Sequence, residues 1–242
     1  MDRNRFRPAL AATVALALGL PILLGLGAWQ VSRGQDKARL LQAAGAGQEL
    51  APIEFAQAAA QASADYRRVV VKGRFVTDRQ GLLDNQVRDG QVGYDVLTPL
   101  QVQGVPGVLL VDRGWLPRGG RRSDITPWQT PAGEVTLIGY LREPIDVPLV
   151  TGAVSESFGA LWVVAQISPA HLQQHLGVQI QPRLLRLAPE SAHGFRRDWP
   201  LTSMPPARHY AYAVQWFGLA VALLCMYLVA GWRRGRIGSG ET

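Results

Sequence analysis

Two stretches of this 242-residue chain, residues 8–32 and 209–232, carry no Asp, Glu, Lys or Arg. Both are rich in Leu, Ala, Val and Gly, and at a rise of about 1.5 Å per residue some 20 such residues cross a hydrocarbon core. The expected architecture is therefore two transmembrane helices, residues 9–29 and 209–231, flanking one extracytoplasmic domain, residues 30–208. A short N-terminus (1–8) and a tail (232–242) lie outside the spans. The domain is long enough to bury a core of its own. A cleaved signal peptide is the other reading of the first stretch, but its uncharged core, residues 9–28, exceeds the roughly 7 to 15 residues usual for such a segment, which favours an anchor. Pro21 is tolerable within a span.

Charge orients this topology. Of the net +7, the two ends supply +4: Arg3, Arg5 and Arg7 stand against Asp2, and Arg233, Arg234 and Arg236 against Glu241. Basic residues beside a span remain cytoplasmic, so both termini are expected inside and the nearly balanced domain outside. A basic excess placed in this way argues against nucleic acid as a partner, since it does not form a phosphate-tracking groove. Cys225, the one cysteine, falls within the second span, which excludes disulfides, Cys-based zinc or iron–sulfur sites, C-x-x-C redox centres and covalent haem attachment. Met1, Met204 and Met226 are too scattered for a copper carrier.

After the first span, residues 35–46 read as a short helix stopped by Gly45 and Gly47, and residues 53–62 as a second helix behind Pro52. From Tyr66 the period changes to two: Val69, Val71, Gly73 and Phe75 alternate with Arg68, Lys72 and Arg74, the pattern of a half-buried strand. Similar runs at residues 81–86, 93–100, 107–116, 134–142, 160–167 and 178–188 are bounded by turn residues. The fold class expected is a mainly antiparallel β domain, barrel or sandwich-like and α+β overall. Ser168 and Pro169 open a short helix that Gly177 ends. Arg118 to Arg122 form a basic turn whose role, partner contact or plain solvation, is left open.

Four histidines are present. His171 and His175 have the i,i+4 spacing of a metal pair but no third ligand nearby, so a solvated helix face is favoured, and His193 reads as a surface residue. His209 stands immediately after Arg208 at the outer entrance of the second span, followed by Tyr212, Gln215 and Trp216. On a helix these project to neighbouring positions as one polar-aromatic stripe. Two readings stand side by side: an interfacial aromatic belt, or a functional site, to which an intramembrane polar group such as Gln215 points. Trp29 and Arg33 form an i,i+4 pair at the same level of the first span, where Arg33 can also meet lipid phosphate. In the domain, Asp112-Arg113-Gly114-Trp115-Leu116-Pro117 reads as a buried strand ending in a glycine turn.

These runs resemble the Surfeit locus protein family of cytochrome c oxidase assembly factors. A Gly-x-Trp-Gln-x-x-Arg signature is matched by Gly27, Trp29, Gln30 and Arg33, and an Arg-Gly-Trp-hydrophobic-Pro signature by Arg113 to Pro117. Preceding elements match Tyr66 to Phe75, and Gly93 with Thr98 to Leu100. A His-x-x-Tyr-x-x-x-Trp-Phe pattern is matched by His209, Tyr212, Trp216 and Phe217. The resemblance implies a non-enzymatic helper that binds haem a while it is placed in oxidase subunit I, beside the haem a synthesis enzyme. It also implies His209 as axial ligand to the haem iron, with Tyr212, Gln215, Trp216 and Trp29 around the macrocycle. Arg33 and Arg208 extend that reading to the propionates, as charge-assisted bonds prefer. The alternative is a membrane scaffold that binds oxidase subunits or haem-synthesis enzymes without holding haem. A membrane-anchored hydrolase has no nucleophile elbow or H-E-x-x-H run to stand on. With the anchor starting near residue 8 and no long organellar leader before it, the expected location is the bacterial inner membrane, as a multi-pass protein with two spans and a periplasmic domain.

Overall fold

The computed structural model describes residues 6–61, 65–121, 124–144, 154–199 and 204–237. They divide into two compact units: one runs to Gln42 and resumes with the C-terminal helix, and the other is Ala43–Trp199. In the first unit, α1 (Leu10–Glu49) and α4 (Pro206–Ile237) are long and apolar enough to cross a membrane. They are the two such helices among the described residues, so the multi-pass expectation comes down to two spans.

One continuous helix replaces the expected span plus a short helix over residues 35–46, with Pro21 inside it. Gly45 and Gly47 do not stop it. Each glycine costs up to about 1 kcal/mol in a helix interior, but Ala44 is fully buried, and a Cβ at Gly47 would lie 2.8 Å from the Tyr66 carbonyl oxygen, so packing outweighs propensity. The second expected helix shrinks to α2 (Phe55–Ala59). Ile53 and Glu54 instead form β1, which pairs in parallel with Val69 and Val70; residues 60 and 61 lie past the end of the helix, and residue 62 lies outside the described residues.

The second unit holds eight further strands: β2 (Arg68–Phe75), β3 (Gly81–Arg88), β4 (Gln91–Val102), β5 (Val108–Pro117), β6 (Glu134–Arg142), β7 (Val154–Phe158), β8 (Leu161–Val164) and β9 (Ile180–Leu187). Their pairings close a ring. β2 pairs with β6, β6 with β9, β9 with β5, β5 with β4, and β4 returns to β2 through Gly73↔Val102, Arg74↔Gln101 and Phe75↔Leu100. Closure removes the exposed edges those five strands would otherwise present. β3, β8 and β7 extend outward from β4. Antiparallel pairs dominate, as expected, but β1–β2, β3–β8 and β5–β9 are parallel.

Period-two alternation turns one face of β2 inward: Val69, Val71 and Phe75 join Leu100, Val102, Leu109, Val111, Leu137, Leu185 and Leu187 in the barrel core, with Phe55 and Ala58 of α2 packed against them. The outer faces of β4 and β5 are covered as well. Leu97 and Leu110 pack with Leu172 of α3 (Pro169–Leu176) and with Trp162 of β8. Doubly covered strands read as nearly continuous apolar runs, which is why the alternation visible in β2 is missing from β4. α3 starts and ends where Pro169 and Gly177 predict, with Gly177 in the left-handed region (φ 65°). The Ser168 hydroxyl makes no capping bond and meets His171 Nδ1 at 3.1 Å instead. His171, His175 and His193 are all exposed, and no metal-ligating cluster occurs among the described residues.

Candidate functional site

The domain motifs that carry the resemblance turn out to build the barrel. Gly114 does not end a strand: β5 continues to Pro117, and Gly114, at φ +115°, forms a bulge. A Cβ there would press on the Arg196 carbonyl 2.6 Å away, because residues 195 and 196 pair antiparallel with β5 at that point through Phe195 N–H to Arg113 O (2.8 Å) and Trp115 N–H to Arg196 O (2.8 Å).

Arg113 keeps the inward parity of Leu109 and Val111 and is almost completely enclosed. It stacks between Phe75 and Phe195, with ring centroids 5.1 and 4.9 Å away. Its guanidinium donates to His193 O (2.8 Å), Thr130 Oγ1 (2.6 Å) and Gln129 O (3.3 Å). Thr130 and Trp128 donate in turn to Gln80 Oε1 at 2.7 and 2.9 Å. Burial pulls the guanidinium down to about 10, which leaves it charged at physiological pH. A buried cation bonded to two carbonyls and a hydroxyl fastens the 128–130 and 193–196 segments over the barrel, so its place in the fold is structural. Gly93 leaves room for the Trp115 indole, whose N–H donates to Gln86 O (2.9 Å).

Beside this bulge lie two fully buried carboxylates, Asp95 and Asp112. Arg88 meets Asp95 Oδ2 at 3.4 Å, and Arg186 meets Asp112 Oδ2 at 3.4 Å while stacking on Trp199. Asp95 Oδ1 is buried without a hydrogen-bond partner. Burial, reinforced by the charge of Asp112, pushes Asp95 up to about 7 against the pull of Arg88 and Arg186; burial raises Asp112 as well. Nothing in the isolated sequence runs marks this pair, since only strand pairing brings Asp95 near Asp112.

The basic turn is organised by Asp124, whose Oδ2 accepts from Arg121 N–H at 2.9 Å and whose backbone oxygen accepts from Gly119 N–H. Arg122 lies outside the described residues.

In the helical unit, α1 and α4 run antiparallel and pack through small residues. A Cβ at Gly27 would overlap the Phe217 ring, one at Gly34 would come within 2.6 Å of Tyr210, and one at Gly19 within 3.0 Å of Leu223. Further along, Thr13 Oγ1 and Tyr227 OH are 3.2 Å apart. Between Gly27 and Gly34, Gln30 Oε1 lies 2.8 Å from His209 Nδ1.

The expected stripe divides into two faces. His209 and Trp216 are half-buried on the side that carries Ala213 and Ala220, whereas Tyr212 and Gln215 are exposed. Gln215 is about 120° round the helix from His209, at about 100° per residue. Trp29 is exposed beside Arg33, whose guanidinium carbon is 5.9 Å from its ring centroid. Arg208 is exposed in the first turn of α4. The seven residues of the sequence reading are thus gathered differently: His209 with Gln30, and Trp29 with Arg33. Gln30 was visible only as a letter in a motif; its contact with a residue 179 positions away has no local signal.

A closed β barrel, carried by a chain whose two apolar helices clasp an imidazole against an amide, defines a membrane-anchored protein with its polar chemistry at a helix–helix contact. The SURF1 family model matches residues 17–221, and the chain belongs to that family. A SURF1-like protein of Drosophila melanogaster is 30% identical over 137 residues (49% of this chain and 45% of that protein). One from Rickettsia felis is 25% identical over 214 residues (86% and 91%), and the Surfeit locus protein 1 of Takifugu rubripes is 27% identical over 134 residues (49% and 56%). The chain spans about half the length of several of the curated relatives it matches, the fly protein among them.

Proposed function

We propose that this protein is a membrane-anchored assembly factor for cytochrome c oxidase that holds haem a at the outer end of its helix pair and assists its transfer to subunit I, close to the haem a synthesis enzyme. Membership in the SURF1 family supports the oxidase setting. The observation that carries haem binding is the half-buried His209 held by Gln30 between two apolar helices.

The donor set fits the group. With Nδ1 engaged, a neutral imidazole retains Nε2 as a metal-binding nitrogen. Trp216 and the exposed Trp29 and Tyr212 supply aromatic cover, and apolar helix faces can receive a hydrocarbon tail. Arg33 and Arg208, both exposed, can pair with carboxylates. Once bound, the haem supplies an iron centre in transit rather than a reaction here, and the residues of this chain bind, orient and release it. The topology that goes with this reading is that of a bacterial inner-membrane protein with cytoplasmic termini and a periplasmic domain.

The test is the absorption spectrum of protein purified from hosts with and without haem a synthesis. A Soret band that depends on that synthesis and disappears in His209→Ala is expected. No band from the competent host, with oxidase assembly intact in His209→Ala, would refute haem binding and leave the scaffold reading.

A further inference from the structure

The Gln30 amide on the first helix is the polar group that meets His209. We propose that Gln30 is a positioning residue that fixes the tautomer of His209, keeping the ring proton on Nδ1 so that the Nε2 lone pair faces a metal; this rests on the haem reading above.

Two features of the chain and one general rule support it. The 2.8 Å separation joins a ring nitrogen to an amide oxygen, and a carbonyl oxygen can only accept, so with the amide in this orientation the bond calls for the hydrogen on Nδ1. Metal-ligating histidines ordinarily have their other N–H held in this way by a carboxylate or carbonyl, which fixes the ring and makes the free nitrogen a better donor. The helix contact is also built around the pair. Gly27 and Gly34 stand three residues before and four after Gln30, on its side of α1, and their missing side chains admit Phe217 and Tyr210. Longer side chains there would separate the backbones and break a 2.8 Å bond.

Plain interhelical glue is the competing account of the same contact, and it makes no demand on the tautomer. Arg33 and Arg208, the nearest charged neighbours in sequence, are both exposed, and the partner of the imidazole is the neutral amide.

The experiment uses the full chain, haem-free, in lipid nanodiscs, with 15N-labelled histidine and the His209 resonances assigned by their loss in His209→Ala. The wild type is expected to show the Nδ1–H tautomer, Gln30→Glu to retain it, and Gln30→Ala and Gln30→Leu to shift to Nε2–H. An Nε2–H wild type, or a tautomer unmoved by Gln30→Ala, overturns the proposal whatever the haem does.

Titration with haem a is the second arm. Gln30→Ala is expected to weaken binding about 10- to 100-fold. Gln30→Glu is expected to restore affinity with a lower reduction potential, because a carboxylate draws the proton harder and makes Nε2 more basic. A confirmed tautomer with no haem binding in any variant sinks the haem reading and leaves the tautomer result standing, so the two failures are distinguishable. If Gln30→Ala does not fold, the wild-type spectrum and Gln30→Glu still decide.

Discussion

Replacing Asp95 with Asn tests the buried carboxylate pair beside the β5 bulge. In the folded domain Asp95 is raised to about 7, first by burial and then by Asp112, with Arg88 and Arg186 opposing and the more distant Asp198 adding to the rise. In the unfolded chain a carboxyl titrates at about 4. Between those values the folded protein holds a proton that the unfolded chain has lost. Stability attached to this group is therefore full below about pH 4, falls as pH rises toward 7, and levels off above it. At about 1.4 kcal/mol per pH unit, the wild type loses about 3 kcal/mol between pH 5 and pH 8. Asn cannot ionise, so Asp95→Asn should lose this component, keep only the shallower dependence that buried Asp112 brings, and gain on the wild type as pH rises. Urea unfolding of the full chain in mild detergent at pH 5, 6, 7 and 8 reads this out through the near-UV circular dichroism of Trp115, Trp128, Trp162 and Trp199. Parallel stability curves for the two proteins over that range would refute the argument, because they would mean that Asp95 is charged in the fold throughout.

Arg113→Leu should cost about 3 to 5 kcal/mol, since it strands two carbonyls and a hydroxyl that the guanidinium now satisfies. Arg113→Lys should not rescue it, because an ammonium cannot span the same fork or stack between two rings; thermal unfolding checks both. Gly27→Leu should push the helices apart, with less oxidative cross-linking between Gly19→Cys and Leu223→Cys in a Cys225→Ser background, and unchanged cross-linking would show that Phe217 can yield. Gly114→Ala should destabilise the domain by about 1 kcal/mol or more, from its positive φ and the pressure on the Arg196 carbonyl, and the same urea titration measures it.

Much of the fold is legible in the primary structure. The two charge-free stretches anticipate both long helices, the alternation from Val69 to Phe75 anticipates β2 and its inward face, and the bounds of β6 coincide with those read from the chain. Where the reading departs, competing packing explains it. Gly45 and Gly47 look like stops, yet the helix runs through both and Gly47 serves a close contact with Tyr66; β1 looks helical until Val69 offers it a partner, and Gly114 looks like a turn but is a bulge against an antiparallel segment. Of the candidate site, His209, Trp29 and Arg33 can be picked out from residue type and from their place beside the charge-free stretches. The separation of Tyr212 and Gln215 from the half-buried face needed the helix pair.

Hydropathy over twenty residues, alternation over eight and a Pro–Gly bracket round one helix are local properties, so the sequence alone determined the two long apolar helices, most of the strands and the bounds of α3. Closure of β2 onto β4, the parallel β5–β9 pair, the enclosure of Arg113, the juxtaposition of Asp95 with Asp112 and the grip of Gln30 on His209 were decided only in three dimensions. Each depends on register and close approach between segments far apart along the chain, where a change of one residue or one methyl group alters which side chains meet.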